Sequence, residues 1–188
     1  MVIEEKALLR AMKAAYSGWG YTVAVTDHDV WVISTPAWIV RICKQNNVPN
    51  EVLALIVLHM GYLPEPETAY RIFKADTGPA IQEKIFAEAM DSVQTMENVR
   101  YDPEAKKPAI RKTKLHFGRC RVWQRPEDRQ IFMVDPRYES MIAFKNNVHT
   151  IRTALCAAGE ISSIYVFREL VEEEDQIEHL EQMQWVGR

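Results

Sequence analysis

The sequence predicts an α+β protein: two β-hairpin-plus-helix units around a buried helical pair, followed by an acidic C-terminal helix. Three observations carry this expectation. β-rich runs flank turn formers twice, around Asp27-His28 and around Pro126-Glu127-Asp128. Val52, Leu53, Ala54, Leu55, Ile56, Val57 and Leu58 form an unbroken apolar run just after the turn at Asn46-Asn47-Val48-Pro49. Acids gather at Glu172-Glu173-Glu174-Asp175, near the start of a last helical pattern.

Taken in order, residues 3–16 place Leu8, Leu9, Met12, Ala15 and Tyr16 on one helical face, and Ser17-Gly18-Trp19-Gly20 ends that helix. YTVAVT and DVWVIS then read as a hairpin. Thr35 is a good N-cap and Pro36 a good first helical residue, so a helix pair is expected over 36–60. Its second helix is apolar all round and should be wrapped by the rest of the fold. Gly61 and Pro64 stop it. A short helix near Glu67–Lys74 carries Tyr70, Ile72 and Phe73.

Asp76-Thr77-Gly78-Pro79 breaks the chain and opens a longer helix to about Met96, with Ile81, Ile85, Ala89 and Val93 on one face. Residues 97–110 hold two prolines and few large apolar side chains. The expected organisation is therefore a helix, hairpin and helical subdomain over 1–97, a linker or long loop over 98–110, and a basic hairpin with helices over 111–188. In the second part KLHFGRCRVW and RQIFMV form the second hairpin, the return strand being apolar on both faces like an interior strand. Asp135-Pro136 repeats the cap-plus-proline start, and Met141, Phe144, Val148, Ile151 and Leu155 step at helical spacing to a C-cap at Gly159. Ser162–Phe167 is β-like, and Glu169–Gln184 is the final helix. The shared plan of 21–45 and 112–158 is read as a coincidence of common building units.

Composition narrows the function only a little. The 188 residues are 47% hydrophobic and 26% charged with a net charge of -3, an ordinary globule. Cys43, Cys120 and Cys156 are dispersed and odd in number, which argues against a disulfide framework or zinc cluster and for a reducing compartment. The N-terminus is charged and helical in period, unlike a signal peptide, and the apolar run ends at His59, short of the ~20 residues of a membrane span. A cytoplasmic protein without cofactor and without membrane contact is expected.

Asp27-His28-Asp29 is the most enzyme-like tripeptide, since carboxylates and imidazole bind metals and move protons near neutral pH. The same residues are good turn formers, and the turn reading is preferred. A small metal-assisted hydrolase using them is one alternative. His59 reads as a core or boundary histidine bonded to backbone; His116, His149 and His179 are isolated. No His-Glu-x-x-His pattern, phosphate-cradling glycine loop or Gly-x-Ser-x-Gly elbow is present. Cys120 lies among cations that could lower its pKa. A helix-turn-helix over 36–60 is rejected, because its second helix carries neither Lys nor Arg.

Charge segregation is the strongest signal. Residues 100–125 hold nine Lys or Arg against Asp102 and Glu104, a net of +7, whereas residues 159–188 carry a net of -6. Strict alternation would put Leu115 and Phe117 beside Arg119 and Arg121; a bulge at Gly118 removes the conflict. Leu115, Phe117, Cys120 and Val122 then point inward, and Lys112, Lys114, His116, Arg119, Arg121, Trp123 and Arg125 outward as the candidate binding face. Cations with an aromatic among them suit phosphate contact and base stacking. Pairing with the acidic helix, within the chain or in a homodimer, and plain solubility of an exposed sheet are the competing readings. The expectation is a non-catalytic macromolecule-binding protein, accessory, regulatory or inhibitory, whose basic face meets nucleic acid or an acidic partner. The acidic helix would be a second protein contact. A structural subunit that self-assembles through its segregated charge is a further alternative.

Overall fold

The computed structural model describes residues 1–46, 48–75, 81–84, 89, 91, 93–94, 98, 107–144, 148–169, 174–183 and 185. Helix α1 (Glu5–Ser17) leads into β1 (Tyr21–Val25), β2 (Asp29–Ser34) and β3 (Trp38–Cys43). A 3-10 turn at Lys44–Asn46 precedes α2 (Asn50–Met60), β4 (Thr68–Phe73) and β5 (Ile81–Lys84). Helical residues around Ala89 and Val93 follow. Then come β6 (Arg111–Phe117), β7 (Cys120–Gln124), β8 (Ile131–Val134), the short α3 (Pro136–Glu139), β9 (His149–Ile151), β10 (Ala154–Ala158), β11 (Ser162–Phe167) and α4 (Glu174–Gln182). The fold is α+β, and among the described residues every strand pairing is antiparallel.

Eight strands form one sheet in the order β5-β4-β1-β2-β3-β11-β10-β9, and β6-β7-β8 form a second. Strands from either side of residues 98–110 thus share the large sheet through β3 and β11. Most of the 98–110 segment expected to be a linker lies outside the described residues. So do Asn47 of the expected turn, the Asp76–Pro79 break, Ile85, Arg100, Lys106, Leu170, Glu172 and Glu173.

The large sheet is covered on both faces. On one face Val23, Val32, Trp38, Val40, Ile164 and Val166 join a cluster with Leu8 and Met12 of α1 and Val52, Leu55 and Ile56 of α2. Trp123, Phe132 and Val134 of the small sheet belong to the same cluster. On the other face Ala24, Trp31, Ile33, Ile39 and Tyr165 meet Ala89 and Val93. Gly20 passes hard against β4: a Cβ there would stand 2.7 Å from the Ile72 carbonyl oxygen, and its φ of +87° is one that side chains resist.

Several expected helices are strands. Residues 38–43 form β3, so the expected buried helical pair is one strand and one helix; the Thr35–Pro36 bond is cis and lies in a turn, not a helix start. Thr68–Phe73 is β4, with Ala69 and Ile72 buried in clusters on opposite faces of the sheet. The 81–96 stretch begins as a strand pairing with β4. Asp135 does cap a helix, accepting from the Arg137 backbone N–H at 2.8 Å, but that helix ends at Glu139. Beyond it Val148, Ile151 and Leu155 lie in or beside β9 and β10, and Phe144 is exposed. Gly159 sits in the β10–β11 connection, where its amide donates to the Ser162 carbonyl.

Helix α2 runs over the expected residues, yet it is not wrapped all round. Val52, Leu55, Ile56 and Met60 are buried, whereas Leu58 is 76% exposed. His59 is bonded to a side chain rather than to backbone: its Nδ1 shares a hydrogen bond with the Tyr21 hydroxyl at 3.0 Å. Its ring stacks on Tyr16 with centroids 3.7 Å apart. This tie links α1, β1 and α2. No helix among the described residues is long and apolar enough to cross a membrane.

Two predictions follow from this packing. Leu55→Ala should cost about 2–5 kcal/mol, while Leu58→Ala should stay within about 0.5 kcal/mol of wild type; equal costs in urea unfolding would contradict the burial described. Burial, with a smaller contribution from Lys13, holds the His59 pKa below its ordinary 6.5. The unfolded chain therefore takes up that proton first as the pH falls. The stabilisation is complete above the unfolded pKa of about 6.5 and is lost as the pH falls through it toward the lower folded value. Between about pH 7.5 and 5.5 the urea midpoint of wild type should drop more than that of His59→Phe; parallel pH profiles would remove His59 from the account.

Candidate nucleic-acid interface

The basic segment is two strands, not one. Phe117 pairs with Cys120 across the turn Gly118-Arg119, and Gly118 takes φ +54°, the sign a primed hairpin turn requires at its first position. The bulge expected at Gly118 lies instead between Lys112 and His116. Lys112 stands opposite Trp123 and His116 opposite Arg121, so three residues of β6 face the single Val122. Thr113 fills the irregularity: its hydroxyl donates to the Val122 carbonyl at 2.8 Å and accepts from the Leu115 amide at 3.0 Å. Two extra residues preserve side-chain parity, which leaves Lys112, His116, Arg121 and Trp123 on one face.

What covers each face differs from the expectation. Cys120, Val122, Ile131 and Met133, with Leu115 and Phe117 beside them, pack against Ile177 and Leu180 of α4. The acidic helix therefore lies on the face opposite Lys112 and Trp123 rather than across the cations. It is latched there by polar contacts. Gln124 donates to the Met183 carbonyl at 2.8 Å, Arg129 donates to the Gln182 carbonyl at 2.8 Å, and Glu181 accepts from the Ile131 amide at 3.0 Å.

On the other face Trp123 is fully buried in the main core and cannot stack on a base. Lys112 and Arg121 converge on Glu139 of α3, itself only 2% exposed, at 2.5 and 3.8 Å. Arg125 is held in the β7–β8 turn, donating to Asp128 at 3.0 and 2.6 Å, and also to Gln130 and Thr150. Arg119 is exposed in its turn with Glu169 at 3.7 Å. Lys114 and His116 are exposed on the edge strand β6. Of the seven candidate residues, then, Lys114, His116 and Arg119 remain as an open cluster. Arg111, at the start of β6, is exposed on the same edge strand, while its pairing with Gln124 turns it to the face opposite Lys112; its place in the basic segment was the only sequence signal for it.

Neighbouring ionisable groups follow their surroundings. Burial, and then the Glu169 carboxylate, push the Cys120 thiol up, opposite to the expected lowering by nearby cations. Burial works to raise the pKa of Asp135, but hydrogen bonds from the Arg137 side chain and backbone outweigh it and hold the carboxyl below its ordinary value.

Asp27 and His28 form the exposed β1–β2 turn, and the Asp29 carboxylate meets Arg41 at 3.0 Å. Among the described residues no three His, Cys, Asp or Glu side chains gather closely enough to hold a metal ion. A separate pocket of about 670 Å³ opens between β1, β2, α2 and the 61–66 loop, and only Lys44 among its lining residues is charged. Nothing in the sequence singled it out.

No protein-family model matches the chain, and no curated protein does. Two solved structures are similar to it over 92% of its length. One is a DNA polymerase III beta chain from Streptococcus pneumoniae TIGR4, at 9% identity and a TM-score of 0.33. The other is described as a DNA polymerase III beta subunit from Eubacterium rectale ATCC 33656, at 8% identity and a TM-score of 0.31. The chain spans 66% of the length of each. A likeness of that size carries neither fold family nor function.

The Glu139 site gives a test of its own. Glu139→Gln should lower stability by about 1.5–3 kcal/mol, the range for hydrogen bonds to charged groups. Urea unfolding checks it, and a variant as stable as wild type would show that Lys112 and Arg121 are not held by this carboxylate.

Proposed function

We propose that this chain is a non-catalytic macromolecule-binding protein, accessory, regulatory or inhibitory in role, and that the open edge of β6 with its turn is the contact for an anionic partner. One observation carries the reading. Arg111, Lys114, His116 and Arg119 are exposed along one edge strand and turn, and among the described residues only Glu169 lies in ion-pair reach of any of them. Cations on an edge strand also discourage pairing with other sheets, but Glu139 and Asp128 pair with other cations of the same segment, and within this cluster only Arg119 has a carboxylate, Glu169, among the described residues.

Nucleic acid is the favoured partner and an acidic protein surface the second. With Trp123 buried, the contact is to phosphate rather than to stacked bases, and it positions the nucleic acid without reading its sequence. Such binding releases counterions and weakens with salt. Fluorescence anisotropy on a short labelled oligonucleotide should show affinity falling linearly in log–log form with salt. Each of Lys114→Glu and Arg119→Glu should flatten that slope by about 0.7–0.9 per lost contact. Absence of binding to both DNA and RNA at about 50 mM salt removes the nucleic-acid reading; saturable binding of a poly-glutamate peptide would then support the acidic protein surface.

A further inference from the structure

We infer that the pocket beside α2 is a binding site for an amphiphilic acid, an aliphatic tail ending in a carboxylate held by Lys44. The volume of about 670 Å³ is that of a small-molecule site. Val23, Val25 and Val30 line it from the sheet, Leu53 and Ile56 from α2, and Pro64 and Pro66 from the loop that follows. Such a lining offers an aliphatic chain nothing but dispersion contacts and release of water. The surface stays apolar at the rim, where Leu63 is 47% exposed, and Val57, one turn along α2 from Leu53, is 38% exposed.

The head group is set by the two polar lining residues. Lys44 Nζ donates to the Thr26 carbonyl at 2.8 Å. An ammonium has three N–H donors, so two remain. Among the described residues no carboxylate lies in ion-pair contact with Lys44. Asn50 is the first residue of α2, whose N-cap residue, Pro49, provides no side-chain acceptor. The positive end of an 11-residue helix therefore stands beside the same cation. Glu51, the next residue, lies near Glu5 on α1, where burial first and the Glu51 carboxylate second raise the Glu5 pKa above its ordinary value. An alcohol could accept from Lys44 but would leave its charge uncompensated, whereas a carboxylate accepts two charge-assisted hydrogen bonds.

The test is calorimetric titration of the full chain with octanoate, decanoate and dodecanoate below their micelle concentrations, beside dodecanol. Each added methylene that enters the pocket should tighten Kd by roughly fourfold. Dodecanoate should bind about tenfold or more tightly than dodecanol. Lys44→Met should abolish that preference while dodecanol binding is retained. Leu63→Trp, at a half-exposed position of a loop, should weaken both ligands by narrowing the mouth; circular dichroism checks the fold of each variant. No saturable binding of dodecanoate, an affinity independent of chain length, or a carboxylate preference that survives Lys44→Met would overturn the inference. Equal affinity of Leu63→Trp and wild type would do the same, because it would place the ligand elsewhere.

Discussion

The pairing of β3 with β11 is the constraint on which the rest of the structure depends. Ile42 to Trp38 run antiparallel to Ser162 to Val166, joining strands from two distant parts of the chain into one sheet. Closing so long a loop costs entropy, but that cost grows only logarithmically with length. Burial on both faces of the seam offsets it: Trp38, Val40, Ile164 and Val166 enter one cluster, and Ile39 and Tyr165 the other. Polar contacts fix its register. Arg41 reaches Asp29 at 3.0 Å and the Glu160 carbonyl at 3.4 Å, and the Cys43 amide donates to the Ile161 carbonyl at 2.9 Å.

This seam also explains what the sequence shows and what it conceals. Helix α1 is legible from its apolar stripe and α2 from its unbroken apolar run, and each ends at glycine, Gly18 and Gly61. Hairpins β1–β2 and β7–β8 are legible from turn residues between β-rich runs. Strand β3 is not. Its WIVRIC sequence is buried on both faces, so the period-2 alternation that identifies a half-exposed strand is erased. Thr35-Pro36, a sound helix-start signal by local rules, then decides wrongly. Residues 148–157 hide their strands in the same way: Val148, Ile151 and Leu155 happen to be spaced like a helical stripe, although they belong to consecutive segments of a sheet. Tertiary burial overrides local pattern in both cases.

The candidate interface was legible in grouping but not in environment. Side-chain parity places Lys112, His116 and Arg121 with Trp123 whether the irregularity is at Gly118 or before His116. Parity cannot say that Trp123 reaches the main core, or that Glu139, eighteen residues downstream of Arg121, lies beneath two of the cations. Nor can it say that the acidic helix packs on the opposite face. The surviving cluster at Arg111, Lys114, His116 and Arg119 is smaller than the basic segment suggests, and it is confined to the edge of the small sheet. The pocket beside Lys44 is assembled from β1, β2, α2 and a loop, with no local pattern to announce it.

Both sites are carried by elements that pack against the large sheet, so its unity is the central structural claim. Hydrogen–deuterium exchange of the intact chain, followed through peptides covering 38–43 and 162–167, tests it most directly. If β3 and β11 open as one unit, their protected amides exchange together, in the slowest class of the molecule. Exchange of one strand more than about tenfold ahead of the other, a difference of about 1.4 kcal/mol in opening free energy, would contradict a single sheet joined at that seam.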